Sequence, residues 1–123
     1  ELLEASARPG GLAGVAPEWA SEWAVTVVLA SRGYPESSSK GDEILGVRPA
    51  ESLAVEVLHA GTAQVGGKLV TAGGRVLNVT GMGATPAEAR ERAYATAERV
   101  RFDGKQMRHD IALRAVERVE AKA

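Results

Sequence analysis

The chain has 123 residues, 15 basic and 16 acidic side chains, a net charge of −1 and no cysteine. This length predicts one domain. The balanced charge argues against a strongly basic nucleic-acid binder, and the missing cysteine excludes disulfides and zinc–thiolate sites. No apolar run approaches the about 18 residues of a membrane span. We therefore expect neither a nucleic acid nor a membrane as partner.

The first segment is unusual because it begins without Met. Residues 2–8 predict a helix that ends at Pro9, and the glycine- and proline-rich residues 9–21 predict a connection between elements. This start indicates the last turns of a helix rather than the opening of a domain. We expect the chain to be a piece of a longer protein.

Several strands follow. Residues 23–30 are β-branched and apolar on both faces, which predicts a central, buried strand. Residues 53–59 alternate in polarity. Gly66-Gly67 joins residues 63–65 to residues 68–71 as a two-residue hairpin turn. A second glycine turn, Gly73-Gly74, precedes a further strand over residues 75–80.

Two helices are predicted at the end of the chain. Thr85-Pro86-Ala87-Glu88 is a capping box with proline at the first helical position, and this helix should stop near residues 102–104. Asp110 could cap a last helix that runs to about Val119. The order of elements predicts an α+β fold: a mostly antiparallel sheet with hairpins and two C-terminal helices on one side.

The first candidate site is the turn formed by Gly73, Gly74 and Arg75. Consecutive glycines let backbone N–H groups turn toward an anion, and the arginine adds a planar set of donors that suits phosphate or carboxylate. The alternative interpretation is an ordinary hairpin turn followed by a surface arginine.

Other candidates lie at strand ends. His59 and Thr62 flank a turn and could place an imidazole and a hydroxyl at a ligand, although His59 could equally be half-buried against Val55 and Val57. Tyr34 and Lys40 lie in a loop after a strand, where a site or only a solvated loop could form.

The catalytic motifs that the sequence lacks also matter. There is no Walker-type loop, no Gly-x-Gly-x-x-Gly motif and no Gly-x-Ser-x-Gly elbow. His109 next to Asp110 is not a catalytic dyad because neighbouring side chains point apart. We therefore assign no catalytic residue and no metal ligand to this chain.

An ordered set of short motifs carries a family resemblance. Together they resemble the C-terminal domain of phosphoribosylamine–glycine ligase (glycinamide ribonucleotide synthetase), of the ATP-grasp superfamily. The motifs are Ala24-Val25-Thr26-Val27-Val28-Leu29-Ala30-Ser31, Gly33-Tyr34-Pro35, Lys40-Gly41, His59-Ala60-Gly61-Thr62, Gly73-Gly74-Arg75-Val76-Leu77-Asn78-Val79-Thr80, Glu88-Ala89-Arg90, Asp110-Ile111 and Arg114-Ala115.

The resemblance covers the whole chain. Residues 1–21 are similar to the end of the preceding ATP-grasp domain and its connection, and residues 22–123 to the C-terminal domain. Four positions depart from the family pattern. Leu58 replaces a usual Phe, Gly81 a common Ala, Lys105 a usual Met and Ala112 a usual Gly.

The resemblance implies part of a cytoplasmic, ATP-dependent carbon–nitrogen ligase of de novo purine biosynthesis. The family joins glycine to 5-phosphoribosylamine through a glycyl phosphate, giving glycinamide ribonucleotide, ADP and phosphate. ATP and Mg²⁺ would be bound mainly by the remaining domains of the same ligase, and this chain would close the substrate cleft. The implied substrate-binding residues are Arg75 first, with Gly73 and Gly74, and then Tyr34, Lys40, His59 and Thr62.

Two other functions stay open from the residues alone. The chain could be a stand-alone binding module for a phosphorylated small metabolite, or a structural or oligomerisation domain without a ligand. An exposed apolar edge would favour the ligase fragment, because those side chains would need the missing domains to cover them. The side chains concerned are Leu2, Leu3, Leu12, Trp19 and Trp23.

Overall fold

The computed structural model describes residues 1–48 and 54–123. The start of the predicted strand at residue 53 lies outside these ranges. The elements are α1 (Leu2–Ser6), β1 (Trp23–Ala30), β2 (Val55–His59), β3 (Thr62–Val65), β4 (Lys68–Thr71), β5 (Arg75–Gly83), α2 (Pro86–Arg99) and α3 (Leu113–Glu120).

All strand pairs are antiparallel, as predicted. One sheet has three strands in the order β1-β5-β2, and β3 pairs with β4 as a separate hairpin. Gly66 and Gly67 both have positive φ, +56° and +77°, which is the backbone that a tight two-residue hairpin turn requires. The α+β class predicted from the sequence is therefore confirmed.

The prediction that β1 is a central strand buried on both faces is wrong. β5 occupies the centre, because Val79 pairs with both Val27 of β1 and Val57 of β2. Only one face of β1 is covered, so Val27 is fully buried whereas Val28 stays 37% exposed. The apolar residues on the outer face favour a β-strand, but in the described residues no second layer packs against that face.

Helix α2 covers the inner face of this sheet. Ala89, Ala93 and Ala97 are fully buried, one turn after another. They pack with Leu29, Leu77 and other apolar strand residues in one core cluster. Small side chains at helical spacing on the inward face let the helix backbone approach the sheet closely.

The start of α2 follows the predicted capping box with one difference. Thr85 Oγ1 accepts the N–H of Glu88 at 3.2 Å, as expected. The carboxylate of Glu88 accepts the N–H of Ala84 rather than that of Thr85, at 2.8 Å. Glu88 also forms an ion pair with Arg92, one turn further along the helix. Thr85 therefore satisfies a first-turn N–H that the helix cannot pair internally, and Glu88 ties the preceding residue to the helix start.

The helix ends earlier than predicted, at Arg99. Arg101 instead exchanges backbone hydrogen bonds with Leu45, at 2.8 and 2.9 Å. The ammonium of Lys105 caps the helix by donating to the carbonyls of Ala97 and Val100, at 2.9 and 2.6 Å. Burial lowers the pKa of Lys105 from its ordinary value, and the charge of Glu98 opposes that shift.

The prediction that Asp110 caps the last helix is also wrong. Helix α3 begins at Leu113 after Ala112, which has left-handed backbone angles of φ 63° and ψ 5°. The carboxylate of Asp110 binds the guanidinium of Arg108 instead. Helix α3 packs against α2. In the described part of the chain, no helix is long and apolar enough to cross a membrane.

Candidate anion-binding site

Two turns meet beside the end of the three-stranded sheet. The turn between β2 and β3 contains Gly61, and the turn between β4 and β5 contains Gly73. The N–H of Gly61 donates to the carbonyl of Arg75, and the N–H of Ala72 donates to the carbonyl of Gly61, both at 2.8 Å. A Cβ on Gly61 would lie 2.8 Å from the Cα of Gly73, closer than real contacts allow. Glycine at 61 is therefore needed for the turns to touch.

The ring of Tyr34 lies against the second turn. A Cβ on Gly74 would lie 2.5 Å from Cδ2 of Tyr34, so glycine leaves room for the ring. The carbonyl of Gly74 accepts the N–H of Ser31 at 2.8 Å, and the carbonyl of Ser31 accepts the N–H of Tyr34 at 3.3 Å. The end of β1 and the loop after it are thereby tied to the Gly73-Gly74 turn.

The turn carries donors for which the described residues supply no acceptor. Among residues 1–48 and 54–123, no backbone acceptor takes the N–H of Gly73 or of Gly74. Arg75 is exposed, and no side-chain hydrogen bond or ion pair of its guanidinium is found within these ranges. Unpaired N–H groups next to an unpaired guanidinium are the donor set that binds phosphate or carboxylate.

His59 and Thr62 lie at the other turn. Nδ1 of His59 and Oγ1 of Thr62 are 3.0 Å apart, and either atom can donate depending on the tautomer of the imidazole. His59 is exposed rather than half-buried, although its partner across the sheet is the buried Leu77. The hydrogen bond fixes one ring nitrogen and leaves Nε2 uncommitted within the described residues.

The loop that carries Lys40 is tied by its backbone to the strand before the same turn. The following residue, Gly41, donates its N–H to the carbonyl of Thr71 at 2.7 Å, immediately before the Gly73-Gly74 turn. We name the assembly the glycine-turn cluster. It contains Tyr34, His59, Gly61, Thr62, Gly73, Gly74 and Arg75, with Lys40 on the adjoining loop.

The structure adds residues that the sequence reasoning did not single out as site residues. Gly61 makes the contact between the turns. The only sequence feature that pointed to it was its position between the candidate residues His59 and Thr62. Ser31 has a fully buried hydroxyl without a hydrogen-bond partner in the described ranges. No sequence pattern pointed to Ser31, because its burial depends on how the loop after β1 folds back.

A second polar group lies away from the cluster, around the start of α3. The hydrogen bond from Arg108 holds the pKa of the Asp110 carboxyl below its ordinary value of 3.8, and the same bond raises the pKa of Arg108. Tyr94 fixes this segment, since its hydroxyl donates to the carbonyl of Arg108 at 2.5 Å and accepts the N–H of Ile111 at 3.2 Å. This arrangement is structural and offers no nucleophile.

Comparison with known proteins identifies the family. Residues 24–114 match the family model described as "Phosphoribosylglycinamide synthetase, C domain". The chain is 48% identical over 120 residues to a phosphoribosylamine–glycine ligase of Mesorhizobium japonicum and 50% identical over 120 residues to one of Rhizobium meliloti. Each of these matches covers 98% of this chain and 28% of the relative.

A solved structure agrees with these matches. The crystal structure of a phosphoribosylamine–glycine ligase from Thermotoga maritima is 53% identical, with a TM-score of 0.63. The match covers 71% of this chain and 21% of that one. The chain therefore spans under a third of the length of the relatives it matches. By sequence and by fold, it belongs to the family of phosphoribosylglycinamide synthetase C domains.

Proposed function

We propose that this chain is the C-terminal part of an ATP-dependent ligase that joins glycine to 5-phosphoribosylamine in de novo purine biosynthesis. In this reaction ATP phosphorylates the glycine carboxylate, giving ADP and a glycyl phosphate. The amine of 5-phosphoribosylamine then attacks the carbonyl carbon. A C–N bond forms, the C–O bond to phosphate breaks, the amine loses a proton, and glycinamide ribonucleotide and inorganic phosphate result. The proposal places this reaction in the cytoplasm.

The matches favour this proposal over a stand-alone binding module. The named relatives are ligases in which the matched region is only 28% of the chain. The N-terminal segment also exposes large apolar side chains, with Leu3 88% and Trp19 86% exposed. Leu2, Leu12 and Trp23 are exposed as well. Such a surface is typical of a face that another domain covers, and we assign that role to the rest of the ligase.

The single observation that carries the proposed role is the unpaired donor set of the glycine-turn cluster. The N–H groups of Gly73 and Gly74 and the guanidinium of Arg75 would bind the phosphate of 5-phosphoribosylamine. Fixing that phosphate would hold the amine at a set distance from the glycyl phosphate. It would also help to close the cleft and exclude water, which otherwise hydrolyses an acyl phosphate.

We propose that Mg²⁺ is bound mainly outside this chain. Among residues 1–48 and 54–123, no group of three or more His, Asp or Glu side chains could hold a metal ion. We therefore assign binding of ATP and Mg²⁺ mainly to parts of the ligase outside this chain. The contribution of this chain is substrate recognition, orientation and closure, and we expect the chain to be inactive alone.

The test is the variant Arg75→Ala in the complete ligase. Loss of a charged hydrogen bond to phosphate costs about 1.5–3 kcal/mol, so KM for 5-phosphoribosylamine should rise about 10- to 100-fold. KM for ATP should stay unchanged, because the nucleotide binds elsewhere. Arg118→Ala is the matched control, since Arg118 is an exposed arginine in α3, outside the glycine-turn cluster.

The kinetic result separates a binding role from a structural one. If both KM values of Arg75→Ala equal those of Arg118→Ala, Arg75 only completes a turn and the proposed site is wrong. If both KM values rise together, the substitution disturbs the fold rather than phosphate recognition.

A further inference from the structure

Residues 41–44 lie along β4 and add a short third segment to the β3–β4 hairpin. Their backbone exchanges hydrogen bonds with β4. Thr71 accepts from Gly41 at 2.7 Å and donates to the carbonyl of Asp42 at 2.9 Å, and Ile44 donates to Leu69 at 2.8 Å. This pairing fixes the chain directly after Lys40. It stops at Thr71, just before the Gly73-Gly74 turn begins.

The side chain of Asp42 reinforces the same junction. Its Oδ2 accepts the hydroxyl of Ser39 at 2.5 Å and that of Thr71 at 3.3 Å. The N–H of Asp42 also donates to Oγ1 of Thr71 at 3.0 Å. Ser39 and Asp42 flank Lys40 on its two sides, so one carboxylate fixes both ends of the segment that carries the lysine.

Thr71 makes this junction specific. It is only 1% exposed, and its hydroxyl donates to the partly buried carboxylate of Asp42. Losing Asp42 would leave a buried hydroxyl without its acceptor, which is unfavourable. The junction therefore has one preferred arrangement, and this arrangement keeps the loop against β4.

Lys40 itself is exposed, and within the described ranges its ammonium pairs with no carboxylate. A lysine side chain loses much rotamer freedom when it binds, so an anchored backbone on both sides makes binding less costly. The nearby unpaired donors belong to the Gly73-Gly74 turn and Arg75. The residue after Lys40 pairs with Thr71, two residues before Gly73, so the lysine follows the loop that leads to this turn.

We propose that Asp42 is a positioning residue: through Ser39 and Thr71 it holds Lys40 beside the glycine-turn cluster, where the lysine binds the same anionic substrate group as Arg75. This inference rests on the proposed function, because it needs that group to bind at the cluster. Asp42 does not touch the substrate in this scheme. It acts only through the placement of Lys40.

The experiment is a double-mutant cycle in the complete ligase, with KM for 5-phosphoribosylamine, KM for ATP and kcat as readouts. Lys40→Ala should raise KM for 5-phosphoribosylamine about tenfold, and Asp42→Ala about three- to tenfold, with KM for ATP unchanged. In the Lys40→Ala background, Asp42→Ala should add less than about a twofold change. Glu43→Gln is the matched control, because Glu43 is the adjacent carboxylate and pairs with the exposed Lys68.

Thr71 provides an independent pair of variants if Asp42→Ala fails to fold. Thr71→Val removes the hydroxyl from a buried site without changing its shape, and should reproduce the rise in KM. Thr71→Ser keeps the hydroxyl and should restore the wild-type value. Thermal unfolding of each variant shows which of them are folded.

The outcomes distinguish this inference from the proposed function. Arg75→Ala and Lys40→Ala could both raise KM for 5-phosphoribosylamine while Asp42→Ala has the same effect with and without Lys40. That result would overturn the positioning role of Asp42 and leave the proposed site in place. If neither Arg75→Ala nor Lys40→Ala changes KM for 5-phosphoribosylamine, the proposed site is wrong and the positioning role falls with it.

Discussion

Replacing Ala112 with glycine should not destabilise this chain, unlike the same change in a helix. Ala112 has left-handed backbone angles, φ 63° and ψ 5°, at the start of α3. An L-residue with a Cβ pays about 1–2 kcal/mol for this conformation, whereas glycine adopts it freely. Glycine is also the residue that the family resemblance leads us to expect at this position.

Two effects oppose this gain. Glycine gives the unfolded chain more conformational freedom, which costs about 0.4–1 kcal/mol. Ala112 also packs partly against the core, so its methyl group contributes up to about 0.8 kcal/mol. Taking the middle of each range, Ala112→Gly should raise the free energy of unfolding by about 0.4 kcal/mol.

Ala95→Gly is the matched control. Ala95 is exposed within α2, where glycine in place of alanine costs about 1 kcal/mol. The free energy of unfolding of Ala112→Gly, measured by urea unfolding followed by circular dichroism, should therefore be about 1 kcal/mol or more higher than that of Ala95→Gly. Equal destabilisation by the two variants would show that residue 112 is not left-handed, and the account of the start of α3 would be refuted.

Two further predictions concern the ends of the helices. Thr85→Ala should lower the free energy of unfolding by about 1 kcal/mol, because the N–H of Glu88 loses its acceptor; Thr85→Ser should not, and urea titration distinguishes them. The pKa of Asp110 is lowered by Arg108, so its contribution to stability is present above the ordinary value of 3.8 and is lost as pH falls through the folded value. Carboxyl NMR titration should find the pKa of Asp110 below its ordinary value in the wild type and higher in Arg108→Met, and identical curves would contradict the assigned pair.

Local chemistry made some elements predictable. The hairpin at Gly66-Gly67 and the helix start at Thr85 each depend on a few neighbouring residues, so their sequence signals are sufficient. The position of β1 depends instead on which strand lies beside it. Its apolar outer residues, such as Val28, indicated burial that no neighbouring layer in the described residues supplies.

The candidate site shows the same division. From the sequence we predict that Gly73, Gly74 and Arg75 bind an anion, and this stays a prediction. The sequence showed no sign of the contact between Gly61 and Gly73, because that contact joins two turns separated along the chain. Asp42 was not identified either, since its role depends on the burial of Thr71 against a distant segment.

The proposed function rests on the Gly73-Gly74 turn, which we expect to bind the phosphate of 5-phosphoribosylamine. The most direct measurement is NMR of the complete ligase labelled with ¹⁵N-glycine, titrated with ribose 5-phosphate. We predict saturable shifts of the Gly73 and Gly74 amide resonances, with an apparent Kd that rises about tenfold or more in Arg75→Ala. Unchanged Gly73 and Gly74 resonances at saturating ribose 5-phosphate, or binding that Arg75→Ala does not weaken, would contradict the claim.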